Sequence, residues 1–404
     1  MSINKVPNMI FLDDLASSAD AALQDLIEIR RHLHANPELS FHEEKTAAYV
    51  SERLKELGIP HKSGIGGHGI VADIIGDIDG KVVAVRGDMD ALPITELNEV
   101  SYASKNKGVM HACGHDVHTT CILGAARLLQ ERKSSLRGTV RLIFQPAEER
   151  LPGGASLMIE DGALKEPDVR LIFGQHVYPD MEVGNVGFRP GIYMASADEI
   201  YITIKGKGGH AGLPHKCIDT ILLASHVVTS IQQLVSRRAN AGTPTVVSIG
   251  KFIGNGATNV IPDEVTLEGT IRTMNEKWRF ELHDLLKEMV SGICQSMGGS
   301  AEIEVRKGYP ALINDDDLTV WAKQKAIELL GEENVHDLDM RMTAEDFSYF
   351  AQEIPACFYR LGTSNAGKKL GAPLHTGKFD IDEDALRIGS SLMATLAAKA
   401  LEEL

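Results

Sequence analysis

The first half of the chain alternates between two hydrophobic periods. Apolar positions recur every three to four residues over about 21–34 and 43–57, which predicts two amphipathic helices, and Gly58 ends the second. Short apolar runs of strand length follow, with a helical run over about 117–130 among them. The predicted strands cover residues 70–75, 81–86, 139–144 and 170–173. Since strands buried on both faces are almost continuously apolar, this order predicts an α/β fold with a largely parallel sheet flanked by helices.

After Gly187 the pattern changes to that of a smaller α+β unit. Its elements follow the order strand, helix, strand, strand, helix, strand, at about 199–205, 218–238, 245–252, 265–272, 277–297 and 301–305. From about residue 309, helical runs over 315–330 and 384–404 flank a strand over 357–361 and resume the first pattern. We therefore expect one domain made of residues 1–186 and 306–404, interrupted by an inserted domain of residues 187–305.

Composition and charge exclude several classes of function. The 404 residues are 43% hydrophobic and 24% charged, with a formal net charge of −15, which is a globular composition with an acidic balance. An acidic surface repels nucleic acid and anionic membranes. The basic pairs Arg30–Arg31 and Arg237–Arg238 lie in helical patterns, and we interpret them as solvated helix faces.

The compartment is predicted from the start of the chain and from the cysteines. The first twenty residues lack the basic and apolar regions of a secretion signal, and no segment is long and apolar enough to span a bilayer. The five cysteines are scattered and odd in number, which favours reduced thiols over a disulfide framework. We expect a soluble cytoplasmic protein.

The densest chemical signal is the segment 110–118, which reads MHACGHDVH. Cys113 and His115 are two residues apart, so in extended chain a thiolate and an imidazole reach the same ion, and Gly114 allows the backbone to kink between them. The helix that follows places them at the carboxyl edge of the sheet, where open α/β folds have their sites. The alternative is a buried cysteine beside surface histidines.

A pair of carboxylates, Glu148 and Glu149, follows the strand predicted at 139–144. Neighbours in extended chain face opposite ways, so one can bind an ion while the other accepts a proton from an attacking water. The alternative is a pair of surface glutamates at a strand end.

Other strand ends and loops carry further candidates. His176 follows a strand, His375 lies in a loop-like stretch near the end of the chain, and Asp88 and Asp90 end the strand at 81–86. Together with Cys113, His115 and Glu149, the two histidines match the ligands of one or two borderline transition metals. Asp90 is suited to orient a ligating imidazole, and Asp88 either to do the same or to contact metal. Structural histidines and polar strand ends are the alternatives.

Several segments resemble a known superfamily. RGDMDALP, HACGHDVHT, QPAEE, GQHV, GKGGHAG and LHTGKFD are similar, in the same order, to motifs of the aminoacylase-like metallopeptidase superfamily. The nearest branch contains hippurate hydrolase, indoleacetyl-amino-acid hydrolase and N-acetyl-diaminopimelate deacetylase. The resemblance extends from RRHLHANPELSFHEEKTAAYV to the last helix.

The resemblance assigns roles residue by residue. It implies two divalent metal ions per subunit and Glu148 as the general base. The ligand types do not select among zinc, manganese, cobalt and nickel. The implied metal ligands are Cys113, His115, Glu149, His176 and His375. His210 would stabilise the oxyanion or the substrate carboxylate, from its own subunit or from the partner subunit as in relatives, while Asn259 and Arg272 would bind that carboxylate. The insert would be a lid or dimerisation domain, giving a homodimer or higher homo-oligomer.

The function that these expectations support is metal-dependent hydrolysis of N-acyl-amino acids of the N-acetyl, benzoyl or indoleacetyl type. The substrate is then a small molecule, and neither nucleic acid nor membrane is a partner. A dipeptidase, aminopeptidase or carboxypeptidase of the same superfamily is the first alternative, and a non-catalytic metal-binding protein is the second. In one departure from the motifs, Gln175 precedes His176 where many relatives have an apolar residue.

Overall fold

The computed structural model of the protein describes residues 12–404, with side chains from residue 15 onward. The start of the chain, to which the expectation about a secretion signal applies, lies largely outside this range. No helix within residues 12–404 combines the length and the apolar character needed to cross a bilayer. All five cysteines are free.

Helices and strands alternate along the described chain. The helices are α1 (Leu12–Ala35), α2 (Glu44–Glu56), α3 (His115–Gln130), α4 (Gly154–Glu160), α5 (Thr220–Ser230), α6 (Glu276–Ser296), α7 (Asp316–Leu330), α8 (Ser348–Glu353) and α9 (Ala385–Glu403). The strands are β1 (His61–Ile65), β2 (Gly69–Ile75), β3 (Ile78–Asp88), β4 (Arg137–Gln145), β5 (Val169–Glu182), β6 (Val186–Phe188), β7 (Gly191–Met194), β8 (Asp198–Lys205), β9 (Gly209–His210), β10 (Thr245–Ile253), β11 (Val260–Ile261), β12 (Glu264–Thr273), β13 (Ser300–Lys307), β14 (Leu312–Asn314), β15 (Val335–Asp337) and β16 (Ala356–Ser364).

The chain forms two compact units. The first contains the described residues up to Gly191 together with Ile313–Asp339 and Asp346–Leu404, and the second contains Ile192–Leu312 and Met340–Glu345. The boundaries predicted from the sequence were at 187 and 305. Residues 340–345 join the second unit through the backbone, since Arg341 N–H donates to Tyr193 O at 2.9 Å and Ala195 N–H donates to Arg341 O at 3.1 Å.

The first unit is built on an eight-stranded sheet in the order β1-β2-β4-β3-β5-β16-β6-β15. The four central strands β4, β3, β5 and β16 run parallel. β1 and β2 pair antiparallel with their neighbours, whereas β6 pairs antiparallel with β16 and parallel with β15. The prediction of an α/β fold with a largely parallel, helix-flanked sheet is confirmed. The short strands β1, β6 and β15 toward the edges were not predicted.

Two helices beside this sheet are buried on almost every side. α3 and α9 contact each other, the sheet and α1, and nearly all their residues are inaccessible. Their close approach needs a glycine, because a Cβ on Gly124 would lie 2.2 Å from Ser390 Oγ. A helix covered in this way has no solvent-facing side, and α9 is accordingly rich in alanine and leucine, whereas α3 begins with polar residues that are buried.

The interpretation of Arg30 as part of a solvated face is wrong. Its side chain is completely buried, and it donates from Nε to Asp116 Oδ2 and from Nη2 to Asp380 Oδ1, both at 2.8 Å. Because these two carboxylates compensate its charge, the guanidinium tolerates burial. It links α1 to α3 and to the loop before α9. Arg31 is partly exposed, and Arg237 and Arg238 are exposed, as expected.

The second unit is a four-stranded antiparallel sheet in the order β10-β12-β8-β13, with α5 and α6 packed against it over a separate apolar core. The order of elements predicted for the insert is confirmed. The helix predicted over 218–238 is interrupted. Asp219 accepts from Leu222 N–H and caps α5, α5 ends at Ser230, and one turn of π-helix follows over Leu234–Arg238.

Candidate metal centre

The candidate residues of the first unit gather at one edge of its sheet. β3 ends at Asp88 directly opposite the end of β4 at Gln145. β5 continues beyond the last residue that pairs with β3, Gly174, so His176 lies inside β5 and not after it. The strand predicted over 170–173 was therefore too short. His176 still lies at the carboxyl edge of the neighbouring strands, where open parallel sheets place their sites.

The backbone between Cys113 and His115 turns at Gly114. Gly114 has a φ of 83°, and a Cβ there would lie 2.5 Å from Val177 Cγ2. A side chain would therefore both strain the backbone and clash with β5. The predicted kink at Gly114 is confirmed, and His115 becomes the first residue of α3.

The structure brings all five predicted metal ligands together. Sγ of Cys113 is 3.4 Å from Nε2 of His176, and Oε1 of Glu149 is 4.0 Å from Nε2 of His115 and 3.3 Å from Nε2 of His375. In two trios, Cys113 with His115 and His176, and Cys113 with Glu149 and His375, the donor atoms lie within 4.8 Å of one another. Thiolate, imidazole and carboxylate at these separations suit zinc and similar transition metals.

The two adjacent glutamates do not face opposite ways, and that expectation is wrong. One oxygen from each of Glu148 and Glu149 lies within 4.8 Å of the other and of a ring nitrogen of His115. β4 ends at Gln145, and the chain then turns at Ala147, whose φ is 52°. Because the chain is no longer extended, the alternation of strand side chains does not apply. Both carboxylates reach the same space.

Hydrogen bonds at the far ring nitrogens orient the two buried imidazoles. Nδ1 of His176 lies 2.8 Å from Val177 O, which can only accept, so Nδ1 carries the proton and the lone pair of Nε2 faces Sγ of Cys113. Nδ1 of His115 lies 3.1 Å from Asp90 Oδ1, and its Nε2 is buried without a hydrogen bond. Oε1 of Glu149 is likewise buried without one. Buried polar atoms without partners that face one another fit a cation.

The electrostatics of this cluster also fit a cation. Burial, and then the carboxylates of Glu149, Glu148 and Asp88, raise the pKa of the Cys113 thiol well above its usual range. Burial lowers the pKa of His115, but the nearby acids, Asp88 first, outweigh it and raise the pKa to about 10. The cluster is therefore short of positive charge, which a divalent ion would supply.

Asp88 and Asp90 are fully buried, and their carboxylates contact histidines of the segment 110–118. Asp88 accepts from Nδ1 of His118 at 2.6 Å and from Nη1 of Arg86 at 2.7 Å. Burial raises the pKa of Asp88, but His115, Arg86 and His118 lower it well below its usual range. Both oxygens of Asp88 are thus engaged by side chains behind the ligands, which favours the orienting role over metal contact. Asp90 accepts from His115 and from the backbone that carries the two glutamates.

Sequence reasoning missed several buried polar residues here. His118 donates from Nδ1 to Asp88, and its Nε2 accepts from Val177 N–H at 2.9 Å, so it connects the end of β3 to the strand segment that carries His176. Its place in the segment 110–118 was a signal that could have identified it. Arg86 and Gln145 both donate to Asp346 at 2.8 Å, and nothing local in the sequence marks Asp346.

Gln175 is the residue that departs from the family motifs. Among residues 12–404, no hydrogen bond joins its side chain to the candidate metal ligands. Its Oε1 accepts from Tyr359 Oη at 3.1 Å, and its amide lies against Gly389 of α9. Neighbouring side chains of a strand point to opposite faces, so Gln175 points toward the helices when His176 points toward the cluster.

The remaining predicted residues lie in the second unit. His210 pairs with Val260 across β9 and β11, and Ala211 N–H donates to Asn259 O at 2.9 Å, so His210 and Asn259 are neighbours. Both are exposed. Arg272 lies elsewhere in that unit, in β12 opposite Val246.

Comparison with known proteins decides the family. Residues 84–399 match the sequence profile of peptidase family M20/M25/M40. The chain belongs to this family. It is similar to the N-acetyl-L-cysteine deacetylase of Bacillus subtilis, with 40% identity over 94% of this chain and 89% of the relative. It is also similar to thermostable carboxypeptidase 2 of Saccharolobus solfataricus, with 39% identity over 93% of this chain and 95% of the relative.

A solved structure gives the same result. A Bacillus subtilis protein described as a dinuclear metal-binding peptidase of the M20 family superposes with a TM-score of 0.82 and 36% identity, over 95% of this chain and 99% of that chain. The predicted superfamily is confirmed, and so is the expectation of a metal-dependent amidohydrolase. A non-catalytic metal-binding protein is accordingly disfavoured.

His118 and His111, two buried histidines of the segment 110–118, form a matched pair that tests whether the hydrogen bonds of His118 help to position the metal ligands. His118→Leu removes the bond to Asp88 and the acceptor for Val177 N–H, so metal affinity should fall by roughly 10–100-fold, as for other residues that orient ligands. His111→Leu should leave it within about threefold, because neither ring nitrogen of His111 has a hydrogen bond. Competition with a chelator measures both affinities, and equal losses would contradict the assignment.

Proposed function

We propose that the protein hydrolyses the amide bond of N-acyl-amino acids, of the N-acetyl, benzoyl or indoleacetyl type, and releases a carboxylic acid and a free amino acid. The observation that supports this most directly is the convergence of a carboxylate that is not needed as a ligand, Glu148, with the ligand set around Glu149 and His115. Similarity to a deacetylase of an N-acetylated amino acid supports the substrate class.

We assign the ligands of two divalent ions to Cys113, His115, Glu149, His176 and His375. When bound, such ions supply Lewis-acid polarisation of the amide carbonyl and make water nucleophilic near neutral pH. The orphaned Nε2 of His115 and Oε1 of Glu149 are the atoms whose hydrogen-bonding capacity a metal would satisfy. Zinc, manganese, cobalt and nickel all accept this donor set.

Glu148 is the proposed general base. It is 6% exposed, and it lies on the turn after β4 beside a ligand. It accepts a proton from the attacking water and later delivers one to the leaving amine, as the hydrolysis of an amide requires. Glu148 N–H donates to Asp90 Oδ1 at 3.1 Å, and this hydrogen bond fixes the backbone position from which the side chain of the base extends.

The second unit is proposed to complete the substrate site. His210 would stabilise the oxyanion or the substrate carboxylate, and Asn259 and Arg272 would bind that carboxylate, as the family resemblance implies. The exposed positions of His210 and Asn259 are compatible with this role. We propose further that this unit serves as a lid or as the dimerisation surface of a homo-oligomer.

The carboxypeptidase relative supports one rival function of the same class. The same ligands and base can cut either kind of amide, so the substrate must decide. A panel of acetyl, benzoyl and indoleacetyl amino acids, free-amine dipeptides and N-blocked peptides should be assayed on metal-loaded protein. We expect the highest kcat/KM for the N-acyl-amino acids. Faster cleavage of a free-amine dipeptide, or of longer N-blocked peptides, would favour the rival.

The role of Glu148 is tested by Glu148→Gln. The amide keeps the shape of the side chain but cannot accept the proton, so turnover should fall by about 10²–10⁴-fold at unchanged metal content. Initial rates together with metal analysis check both statements. Glu160→Gln, an exposed position on α4, is the control that should behave as wild type. Full activity of Glu148→Gln would eliminate the mechanism.

The metal assignment is tested by Cys113→Ala. This variant loses the one thiolate of the ligand set, so both the metal bound per subunit and the hydrolysis rate should fall. Elemental analysis after gel filtration measures the first quantity. An unchanged metal content would show that Cys113 is not a ligand. Cys121→Ala, a buried thiol on α3 outside the ligand set, is the matched control.

A further inference from the structure

Two buried carboxylates hold three consecutive backbone amides of the loop that carries Glu148 and Glu149. Ala147 N–H donates to Glu43 Oε1 at 2.8 Å, Glu148 N–H to Asp90 Oδ1 at 3.1 Å, and Glu149 N–H to Asp90 Oδ2 at 3.0 Å. Asp90 follows β3, and its role is to orient the imidazole of His115. Glu43 comes from the N-terminal part of the chain, and no hydrogen bond or ion pair among residues 12–404 joins its side chain to a proposed metal ligand.

The first of these amides belongs to a residue in an unfavourable conformation. Ala147 has a φ of 52°, in the left-handed region that residues other than glycine rarely adopt. Such a conformation persists only when the surroundings hold it in place. This turn sends Glu148 and Glu149 toward the same space, so the hydrogen bond that Ala147 N–H donates to Glu43 lies at the point that sets their direction.

The side chain of Glu43 does not cap α2, although the residue lies at the start of that helix. It occupies the N-cap position of α2, yet its side chain makes no capping hydrogen bond. Glu38 does that instead, since its Oε2 accepts from N–H and Oγ1 of Thr46 at 2.8 and 2.9 Å. The Glu43 carboxylate turns away and joins Ala147 N–H to Phe41 N–H, which donates to Oε1 at 3.0 Å.

The position of Glu43 costs stability, which argues against a purely structural role. The residue is completely inaccessible, its Oε2 has no hydrogen bond, and no ion pair of the described residues includes it. Burial and the nearby Asp90 raise its pKa to about 7. A carboxyl group buried without a countercharge destabilises a fold unless something else requires it.

We propose that Glu43 is a positioning residue for hydrolysis: by accepting from Ala147 N–H it fixes the turn that directs Glu148 and Glu149 into the metal centre. The inference rests on the proposed function of Glu148. It predicts that Glu43 affects turnover through the direction of the base, while substrate contacts are left as they are.

The test compares Glu43→Ala with Glu43→Gln in the metal-loaded enzyme. Glu43→Ala removes the acceptor and should lower kcat by roughly 10–100-fold, since small displacements of a catalytic group have effects of this size, with KM within about twofold. Glu43→Gln keeps an amide oxygen that can accept from Ala147 N–H and should recover most of kcat. Equal kcat for wild type and Glu43→Ala would overturn the proposal, as would a Glu43→Gln variant as slow as Glu43→Ala.

The control is Glu38→Ala, which breaks the hydrogen bonds at the start of α2 but leaves Ala147 untouched. Its kcat should stay within about threefold of wild type, because the loop keeps both carboxylates. If Glu38→Ala is as slow as Glu43→Ala, general loosening of the segment 38–46 explains the effect and the proposal fails.

A second readout does not depend on substrate. Hydrogen exchange of the Ala147 amide should be slow in the wild-type protein, faster in Glu43→Ala and slow again in Glu43→Gln. A fast-exchanging Ala147 amide in the wild type would refute the contact, even if Glu43→Ala does not fold. If the wild type hydrolyses none of the N-acyl-amino acids, the proposed function fails, while the exchange pattern still decides whether Glu43 holds the loop.

Discussion

Four hydrogen bonds converge on the carboxylate of Asp90, and the geometry of the metal centre depends on them. The donors are the imidazole of His115, the amides of Glu148 and Glu149, and the hydroxyl of Ser40 at 2.6 Å. Burial raises the pKa of Asp90, but its hydrogen bonds and nearby charges, above all the hydrogen bond from His115, outweigh burial and lower the pKa below its usual value. An ionised carboxylate has about four acceptor sites, and all are in use. One buried charge therefore sets the relative positions of β3, α3, the loop after β4 and the N-terminal segment.

The parts of this arrangement that the sequence predicted are those with a local cause. The central strands were predicted because strands buried on both faces are continuously apolar, and β3 and β4 are buried along most of their length. Cys113, His115 and the kink at Gly114 lie within three residues, so their spacing suggested a shared ion, with a buried cysteine beside surface histidines as the alternative. His176 and His375 had no such signal, and the family resemblance supplied them.

The parts that could not be predicted depend on distant partners. The burial of Arg30 is compatible with its charge because Asp116 and Asp380 approach it, from 86 and 350 positions further along the chain. Glu43 looked like a helix start, and only the fold shows that its carboxylate reaches Ala147. The convergence of Glu148 and Glu149 depends on a single left-handed residue, which an alanine does not reveal in sequence. Strands of three residues, such as β6 and β15, are too short for any period to be visible.

The strand order also has a consequence for folding during translation. β16 lies between β5 and β6 in the sheet. The contiguous part of the second unit, Ile192–Leu312, is nevertheless synthesised after β5 and β6 and before β16. His375, whose N–H donates to Ala112 O at 2.9 Å, emerges later still. A nascent chain can thus fold its second unit while the larger sheet lacks a central strand. The ligand set closes only when translation is almost finished, so a prematurely terminated chain has no complete metal centre.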